Sequence, residues 1–322
     1  MRPLGARVPA VPEGGALRLV APSGVVDEAA VVGTIASLDA LGFSVQSSSE
    51  LWQRTDALPY LAGTDAARAH ELMEAFADDS VHGVVCVRGG YGAMRLLGSL
   101  DPAVFSRHPK PLVGFSDVTA LHGFLLARCG LVSIHGPLGK TLSAHADAAV
   151  DPWRSGERLR DMLRGRAWEG ALEGLEAGRA GESSGPLLGG NLTLVASLVG
   201  TPFFPPLDGA ILFLEEIGEA AYRIDRLLTQ LALSGVFDRV AGLVLGDVGG
   251  AGDRYVPSSE VEPVTRARVL ELTASRGIPV AFGLPCGHGA HNVPLGFGCR
   301  AILRCSGEGG SLQVDSPIAP SR

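Results

Sequence analysis

The sequence predicts an α/β fold built on a parallel sheet. Short apolar runs with strand character alternate with amphipathic helical patterns through the first 137 residues, which is the order of parallel strands joined by helices. The 44 glycines concentrate at the predicted strand ends, where loops that approach a ligand closely need them. Periodicity is lost between about residues 140 and 185, and strands resume beyond. This break is the best candidate for a junction between two domains.

The first half of the chain carries a series of predicted strands and helices. The first strand is followed by a helix that buries Val31, Ile35 and Leu38 and stops near Gly42. A second helix, over about 65–76, precedes a continuous apolar run that is typical of a strand buried on both faces. The strands are expected at 17–21, 43–45, 81–87, 112–115 and 131–137.

The second half repeats this alternation less regularly. One helix begins at about residue 220, with Ile224, Leu227, Leu228 and Leu231 on its buried face. The Gly- and Ser-rich tail from Ser306 is expected to fray. Further helices are expected at 155–163 and 264–275, and strands at 210–214, 241–246, 278–282 and 299–305.

A serine stands on a strand-to-helix turn in the first half. The apolar run 112–115 ends at Ser116 and Asp117, and a helical pattern starts directly afterwards. Such a turn can hold a hydroxyl above the sheet edge, beside the unpaired N–H groups of the helix's first turn, which suits attack on a carbonyl. Alternatively, Ser116 or Asp117 is only a helix cap. The local pattern leaves both interpretations open.

A glycine-rich loop, Arg88-Gly-Gly-Tyr-Gly92, follows the neighbouring predicted strand. Because ligands bind outside the carboxyl ends of strands in open α/β sheets, this loop and the Ser116 turn should open into one cleft. Such loops often cradle phosphate, but the stretch lacks both the Gly-x-Gly-x-x-Gly pattern and the lysine and hydroxyl of a Walker loop. A backbone site for an anion or oxyanion is the better interpretation. A non-enzymatic nucleotide- or anion-binding protein is the alternative.

Groups that could activate Ser116 occur at strand ends of the second half. Glu215 closes the predicted strand 210–214, and His288 lies in the loop after 278–282. A serine nucleophile needs a base, and usually an acid that orients the base. The order serine, acid, histidine is also that of α/β-hydrolases, although the second glycine of their Gly-x-Ser-x-Gly elbow is missing here.

Other interpretations of these side chains compete with a triad. Glu215 and Glu216 could be solvent-facing charges, which is the commoner position of carboxylates. His288 and His291 stand three residues apart and could hold a metal with a carboxylate. Cys286 could supply a thiol nucleophile, but nothing in the pattern places it on an elbow.

Composition excludes several classes of protein. A net charge of -7 without a basic stripe argues against a nucleic-acid partner. The five cysteines are an odd number without regular spacing, so a disulfide framework is not expected. The start has prolines and charge where a signal peptide has its apolar core, and no apolar run reaches the length of a membrane span. We therefore expect a cytoplasmic protein with no membrane partner.

Several stretches taken together resemble the LD-carboxypeptidases that trim muropeptides. The matches occur in the family's order and cover nearly the whole chain after about residue 15. Glu216, where an Asp is frequent, and Pro294-Leu-Gly296, in place of a Leu-Pro pairing, depart from the family pattern. The matching stretches are Ala21-Pro-Ser-Gly24, Val87-Arg-Gly-Gly-Tyr-Gly92, Gly114-Phe-Ser-Asp-Val-Thr-Ala-Leu-His122, His135-Gly-Pro137, Gly189-Gly-Asn-Leu192, Leu212-Phe-Leu-Glu215, Tyr222-Arg-Ile-Asp-Arg226 and Gly287-His-x-x-x-Asn292.

The resemblance implies a cytoplasmic serine peptidase, often a homodimer, that needs no metal or organic cofactor. Its fold would be a Rossmann-like parallel-sheet N-terminal domain (1–150), a linker (151–185) and a smaller β-rich α/β C-terminal domain (186–322). The family's nucleophile falls on Ser116, its acid on Glu215 and its base on His288. The backbone N–H groups of Gly89, Gly90 and Asp117 would form the oxyanion hole, and Arg88 and Tyr91 would line the substrate cleft.

Such enzymes release the terminal D-Ala of a muropeptide tetrapeptide from a preceding diamino acid that presents an L centre, such as meso-diaminopimelate. The resemblance therefore implies a role in cell-wall recycling. A sibling group similar to microcin-immunity proteins cleaves peptidyl or aminoacyl nucleotides and is the alternative. No long aromatic insertion lies between Glu215 and His288, which disfavours that group.

Overall fold

The computed structural model describes residues 5–48, 51, 58–138, 142, 151–166 and 170–319. Residues 143–150, at the end of the predicted N-terminal domain, lie outside this set. The strands within it are β1 (Ala16–Val20), β2 (Ser44–Gln46), β3 (Val81–Cys86), β4 (Leu112–Gly114), β5 (Ser133–His135), β6 (Leu172–Arg179), β7 (Gly181–Asn191), β8 (Ile211–Ile217), β9 (Gly242–Gly249), β10 (Val280–Phe282), β11 (Leu295–Phe297), β12 (Arg300–Ser306) and β13 (Gly309–Val314).

The predicted parallel sheet is present in the first half, with a strand added from the far end of the chain. Its order is β11-β5-β4-β3-β1-β2. Strands β1 to β5 are mutually parallel, and β11 pairs antiparallel with β5. The order 2-1-3-4-5 reverses between β1 and β3, and a ligand crevice forms at such a point, outside the carboxyl ends of the strands.

Helices cover this sheet and the second half of the chain. Asp27 caps α1 by accepting a hydrogen bond from the N–H of Ala30 at 2.7 Å, and Thr64 caps α2 in the same way. The α-helices are α1 (Glu28–Ala40), α2 (Asp65–Ala77), α3 (Ala93–Leu96), α4 (Pro102–Arg107), α5 (Thr119–Phe124), α6 (Ser155–Leu163), α7 (Leu192–Leu198), α8 (Ala221–Leu233), α9 (Val236–Arg239) and α10 (Ser258–Leu272).

The second half closes into a barrel in the order β10-β6-β13-β12-β7-β8-β9, with β9 pairing back onto β10. Two expectations were wrong here. Residues 172–179 and 181–185 of the predicted linker belong to β6 and β7. These segments are rich in Gly, Glu and Arg and only partly buried, so their strand pattern is weak in the sequence. The tail that was expected to fray forms β13, which pairs with both β12 and β6 and buries Leu312.

The two halves are joined by direct contacts as well as by β11. The N–H of Asn191, at the end of β7, donates to the hydroxyl of Thr119 on α5 at 3.1 Å. Gly190 has a φ of 116°, and a Cβ there would lie 2.5 Å from the Thr119 hydroxyl, so only glycine allows this approach. The barrel is therefore docked against the helix that follows Ser116. Among the described residues, no helix is long and apolar enough to cross a membrane.

Candidate active site

Ser116 occupies a strained turn between β4 and the helical segment that follows. Its φ is 64°, a left-handed conformation that is rare for a residue with a side chain and is frequent at functional sites. The turn is tight enough that a Cβ on Gly114 would lie 2.5 Å from a methyl of Val118. Phe115, not Ser116, stands at the cap position, and no side chain caps the segment there. The helix-cap interpretation of Ser116 is therefore wrong, and its hydroxyl is available to other partners.

The Ser116 hydroxyl is the end of a hydrogen-bonded chain of three side chains. Its Oγ lies 3.0 Å from Nε2 of His288, and Nδ1 of the same ring lies 2.7 Å from Oε2 of Glu215. The Glu215 side chain is fully buried, and that of His288 is 19% exposed. The carboxylate thus holds the inner ring nitrogen, while the outer nitrogen faces the serine.

Burial and the contact between the two side chains shift the pKa values of Glu215 and His288. Burial raises the pKa of Glu215, against the lowering effect of its hydrogen bond to His288. Burial lowers the pKa of His288, but the hydrogen bond and charge of Glu215 outweigh it, so that its pKa is raised above the ordinary value. The carboxylate therefore makes the imidazole a stronger base and stabilises the imidazolium.

The backbone of the glycine-rich loop lies beside the serine at Gly89. An ideal Cβ on Gly89 would be 2.9 Å from Oγ of Ser116 and 3.4 Å from the backbone nitrogen of Asp117. Gly90 has a φ of 107°, which favours glycine and turns the loop at this point. Neither the Gly89 nor the Gly90 N–H donates to another atom of the described residues. Both amides therefore keep a hydrogen-bond donor that the described residues do not use.

The side chain of Asp117 connects these loops. Its Oδ2 accepts a hydrogen bond of 2.8 Å from the N–H of Ala93, the first residue after the glycine-rich loop. The carboxyl is buried, and burial raises its pKa. Asp117 therefore ties the serine turn to the loop that carries Gly89 and Gly90.

Glu216 is buried, not solvent-facing, and forms a second network beside the triad-like chain. Its carboxylate accepts hydrogen bonds from the Asn191 side chain at 3.1 Å and from the N–H and hydroxyl of Thr193 at 2.9 and 2.7 Å. The pairing between β8 and β9 shifts register between Leu214 and Glu216. Both carboxylates are thus inside the protein, Glu215 toward His288 and Glu216 toward the start of α7.

The loop that carries His288 is held on three sides. Gly289 donates its N–H to Oδ2 of Asp247 at 3.0 Å, and burial raises the pKa of Asp247 to about 6. Gly287 donates to the buried amide oxygen of Asn292. The ring of Phe115 lies 4.8 Å from that of His288 between centroids. These contacts orient the imidazole toward Ser116.

A cavity of 450 Å³ opens in front of the serine. Arg88 lines it, as expected, and its Nη1 donates to the carbonyl of Val25 at 2.8 Å. Tyr91 is exposed, packs edge-on against Tyr60 and does not line the cavity. The lining residues are Asp27, Ala30, Val87, Arg88, Gly89, Gly90, Phe115, Ser116, Leu138, Ile217 and His288.

The geometry gives less support to a metal site at His288 and His291 and to Cys286 as a nucleophile. Nδ1 of His291 lies 3.4 Å from the carboxylate of Asp151. No group of three or more potential metal ligands occurs among the described residues. Cys286 is fully buried 3.3 Å from Nδ1 of His135, and burial raises the pKa of its thiol well above the ordinary value. A thiol in that state is a poor nucleophile.

Fold and site together define a class of protein: two α/β domains with a serine, a histidine and a glutamate in hydrogen-bonded sequence at their interface. Comparisons with known proteins identify the family. The family model described as the LD-carboxypeptidase N-terminal domain matches residues 17–136, and the model of the LD-carboxypeptidase C-terminal domain matches residues 184–303. A murein tetrapeptide carboxypeptidase of Pseudomonas aeruginosa is 33% identical over 301 residues, or 91% of this chain and 94% of that protein. The chain belongs to the LD-carboxypeptidase family.

Solved structures share the fold. A muramoyltetrapeptide carboxypeptidase from Oxalobacter formigenes is 30% identical and matches with a TM-score of 0.75 over 95% of this chain and 100% of that one. An MccF-like protein from Bacillus anthracis, 24% identical, has a TM-score of 0.80 over 95% of this chain and 98% of that one. The second likeness concerns the fold alone.

Sequence reasoning missed several residues of the site. Asp27 lines the cavity, Phe115 packs on the imidazole, and Asp247 holds the histidine loop. The sequence does indicate Asp27, because it is a residue type that caps helices and it follows the first strand of the sheet, at the edge where ligands bind. Asp247 also follows an apolar strand pattern, but nothing local indicates that its partner lies 42 residues away.

Proposed function

We propose that this protein is a serine-type LD-carboxypeptidase that releases the terminal D-Ala from muropeptide tetrapeptides. The observation that carries the proposal is the hydrogen-bonded chain from Ser116 through His288 to Glu215, with the serine on a strained turn at the mouth of a cavity. The names of the Pseudomonas and Oxalobacter relatives support the tetrapeptide as substrate.

In the proposed mechanism Ser116 attacks the carbonyl carbon of the diamino acid that precedes D-Ala. Nε2 of His288 takes the hydroxyl proton as the Oγ–C bond forms. Glu215 keeps the proton of Nδ1 on the inner side of the ring and stabilises the imidazolium. The N–H groups of Gly89, Gly90 and Asp117 would bind the oxyanion. In other enzymes the loss of one such donor lowers kcat about 10²–10³-fold.

Collapse of this intermediate breaks the peptide bond. The imidazolium gives its proton to the nitrogen of the departing D-Ala, and the tripeptide stays as an ester on Ser116. Water then attacks the ester with His288 as base, and the serine leaves with that proton. Every proton transfer uses the same imidazole, so the reaction depends on the docking of the barrel, which carries Glu215 and His288, against the domain that carries Ser116.

The competing prediction is hydrolysis of peptidyl or aminoacyl nucleotides. The test is turnover by the wild-type protein of a muramoyl tetrapeptide and of an acyl-sulfamoyl adenylate, with D-Ala and the tripeptide followed by mass spectrometry. We expect D-Ala release from the tetrapeptide to be the faster reaction. Efficient cleavage of the adenylate with no D-Ala release would reject the proposal. The cytoplasmic location and the homodimer stay predictions from the family resemblance.

A further inference from the structure

A fully buried imidazole lies where the first sheet meets the barrel. His135 is the last residue of β5, and none of its surface is exposed. It does not line the cavity in front of Ser116. The stretch His135-Gly-Pro137 is one of those that match the family, and the proposed mechanism gives its histidine no role.

The imidazole of His135 reaches the loop that carries His288. Its Nδ1 lies 3.3 Å from Sγ of Cys286, a fully buried residue two positions before His288. The backbone of His135 pairs with Leu295, at the start of β11 and beyond the other end of the loop. His135 therefore anchors both ends of the segment 286–295, one end through its side chain and the other through its backbone.

The ring of His135 also packs beside the serine and the acid. It lies edge-on to Phe213, two residues before Glu215 on β8, and the ring centroids are 5.0 Å apart. It meets Phe115, the residue before Ser116, with the centroids 6.0 Å apart. One buried side chain thus contacts each of the three segments that carry the serine, the acid and the base.

Both partners of the thiol–imidazole contact are neutral. Burial raises the pKa of the Cys286 thiol well above its ordinary value, so the thiol keeps its proton. Burial, reinforced by the neighbouring imidazoles of His122 and His288, lowers the pKa of His135 well below its ordinary value, so this ring stays uncharged. A protonated thiol is a weak donor and a neutral imidazole nitrogen is an acceptor, so Cys286 can donate to Nδ1.

This hydrogen bond is the only one that the ring of His135 makes among the described residues. Its Nε2 is buried and has no partner there. A ring with an unpaired polar nitrogen costs more to bury than an apolar ring of similar size. Stability alone would therefore favour an apolar residue at this position, which indicates that the imidazole serves the geometry of the site.

We infer that His135 is a positioning residue, which holds the His288 loop against the serine's domain through its hydrogen bond with Cys286. This inference rests on the proposed function. The contact joins the two domains only two residues from the base. It therefore helps to set the 3.0 Å distance between the serine hydroxyl and the imidazole of His288 without touching the substrate.

The experiment measures kcat and KM for D-Ala release from a muramoyl tetrapeptide by Cys286→Ala. We expect kcat to fall about tenfold, which is less than the roughly 10²-fold that a misplacement of about 1 Å typically costs. KM should not change, because neither partner lines the cavity. Cys286→Ser keeps a hydrogen-bond donor on the same carbon and should recover most of the wild-type kcat. A residue that only stabilised the fold would leave kcat of the folded variants unchanged.

A second substitution tests the partner of the thiol. His135→Phe keeps a ring at this position and removes the acceptor. Because the two side chains act through one contact, the double variant Cys286→Ala, His135→Phe should be no slower than the slower single variant. Cys299→Ala is the matched control, since this buried cysteine lies between β11 and β12 and outside the cavity, and it should keep the wild-type kcat. Circular dichroism checks that each variant is folded.

Three results would overturn the inference. A folded Cys286→Ala protein with the wild-type kcat would show that the contact does not position the base. A Ser variant as slow as the Ala variant would show that the hydrogen bond is not what matters. Single effects that multiply in the double variant would show that the two residues act independently. If His135→Phe does not fold, the Ala and Ser variants of Cys286 decide by themselves.

Failure of the inference and failure of the proposed function give different results. In each of the three cases above, the wild-type protein still releases D-Ala and the proposed function stands. Absence of D-Ala release by the wild-type protein would reject the proposed function, and the inference with it.

Discussion

The close approach between Gly89 and Ser116 can be tested by adding one methyl group. An ideal Cβ on Gly89 would lie 2.7 Å from Cβ of Ser116 and 2.9 Å from its Oγ. Carbon atoms in ordinary contact are about 3.5–4.0 Å apart, so Gly89→Ala requires a displacement of roughly 0.8 Å or more. Gly89 has no left-handed φ, so the backbone itself tolerates alanine.

That displacement acts directly on the hydrogen bond between serine and histidine. Ser116 Oγ and His288 Nε2 are 3.0 Å apart, and a further separation of roughly 0.8 Å would break the contact. Misplacement of reacting groups by about 1 Å typically costs about 10²-fold in rate. We therefore expect kcat/KM for D-Ala release to fall about 100-fold in Gly89→Ala.

The assay is D-Ala release from a muramoyl tetrapeptide, with urea unfolding as a check on the fold. Gly98→Ala is the matched control, because a Cβ there meets no atom within 4 Å and the residue lies outside the cavity. It should keep wild-type activity. If Gly89→Ala also kept wild-type kcat/KM, Ser116 would not need its present position against this loop, and the proposed mechanism would be wrong.

Three further predictions concern the carboxylates. Glu215→Gln removes the charge that raises the pKa of His288. The acidic limb of the pH profile of kcat/KM should therefore move to lower pH, and kcat should fall about 10²–10⁴-fold. An acidic limb at the wild-type pH would contradict this role of Glu215. The pKa of Asp247 is raised from 3.8 to about 6, so the folded protein holds this proton more tightly than the unfolded chain does. The resulting stabilisation is complete below pH 3.8 and is lost as the pH rises through about 6. The free energy of unfolding of Asp247→Asn, relative to that of the wild type, should therefore increase by on the order of 1 kcal/mol from pH 4.5 to pH 7, allowing for partial exposure. If urea unfolding gave the same difference between the two proteins at both pH values, this prediction would be wrong. Glu216→Ala leaves the Asn191 and Thr193 donors without their buried acceptor and should cost about 2–4 kcal/mol in urea unfolding; a loss below about 1 kcal/mol would show that the network contributes little.

The N-terminal sheet could be predicted from the sequence because its signals are local. Continuous apolar runs such as 81–87 read directly as buried parallel strands, and each is followed by an amphipathic helix. The adjacency of the Ser116 turn and the Gly89 loop followed from the rule that parallel strands end at one edge. The sequence pattern places Ser116, Glu215 and His288 after predicted strands, and the structure brings the three side chains into hydrogen-bond contact.

The remaining features depend on contacts that local sequence does not encode. Leu295–Phe297 is too short to read as a strand, and it joins the first sheet only by pairing with Ser133–His135, about 160 residues earlier. Leu172–Arg179 has only Gly and Glu at its exposed positions and buries only two leucines, so its apolar periodicity is weak. The position of Tyr91 away from the cavity follows from its packing against Tyr60. Contacts with other parts of the chain, and not local propensity, determine these two strands and the position of Tyr91.

The most direct test of the central claim is D-Ala release from a muramoyl tetrapeptide by Ser116→Ala. Loss of the nucleophile should reduce the rate at least about 10³-fold, to the level left by the oxyanion donors and binding alone. Circular dichroism should confirm that the variant is folded, since alanine keeps the Cβ and removes only the hydroxyl. A folded Ser116→Ala protein that releases D-Ala at the wild-type rate would contradict the claim that Ser116 is the nucleophile.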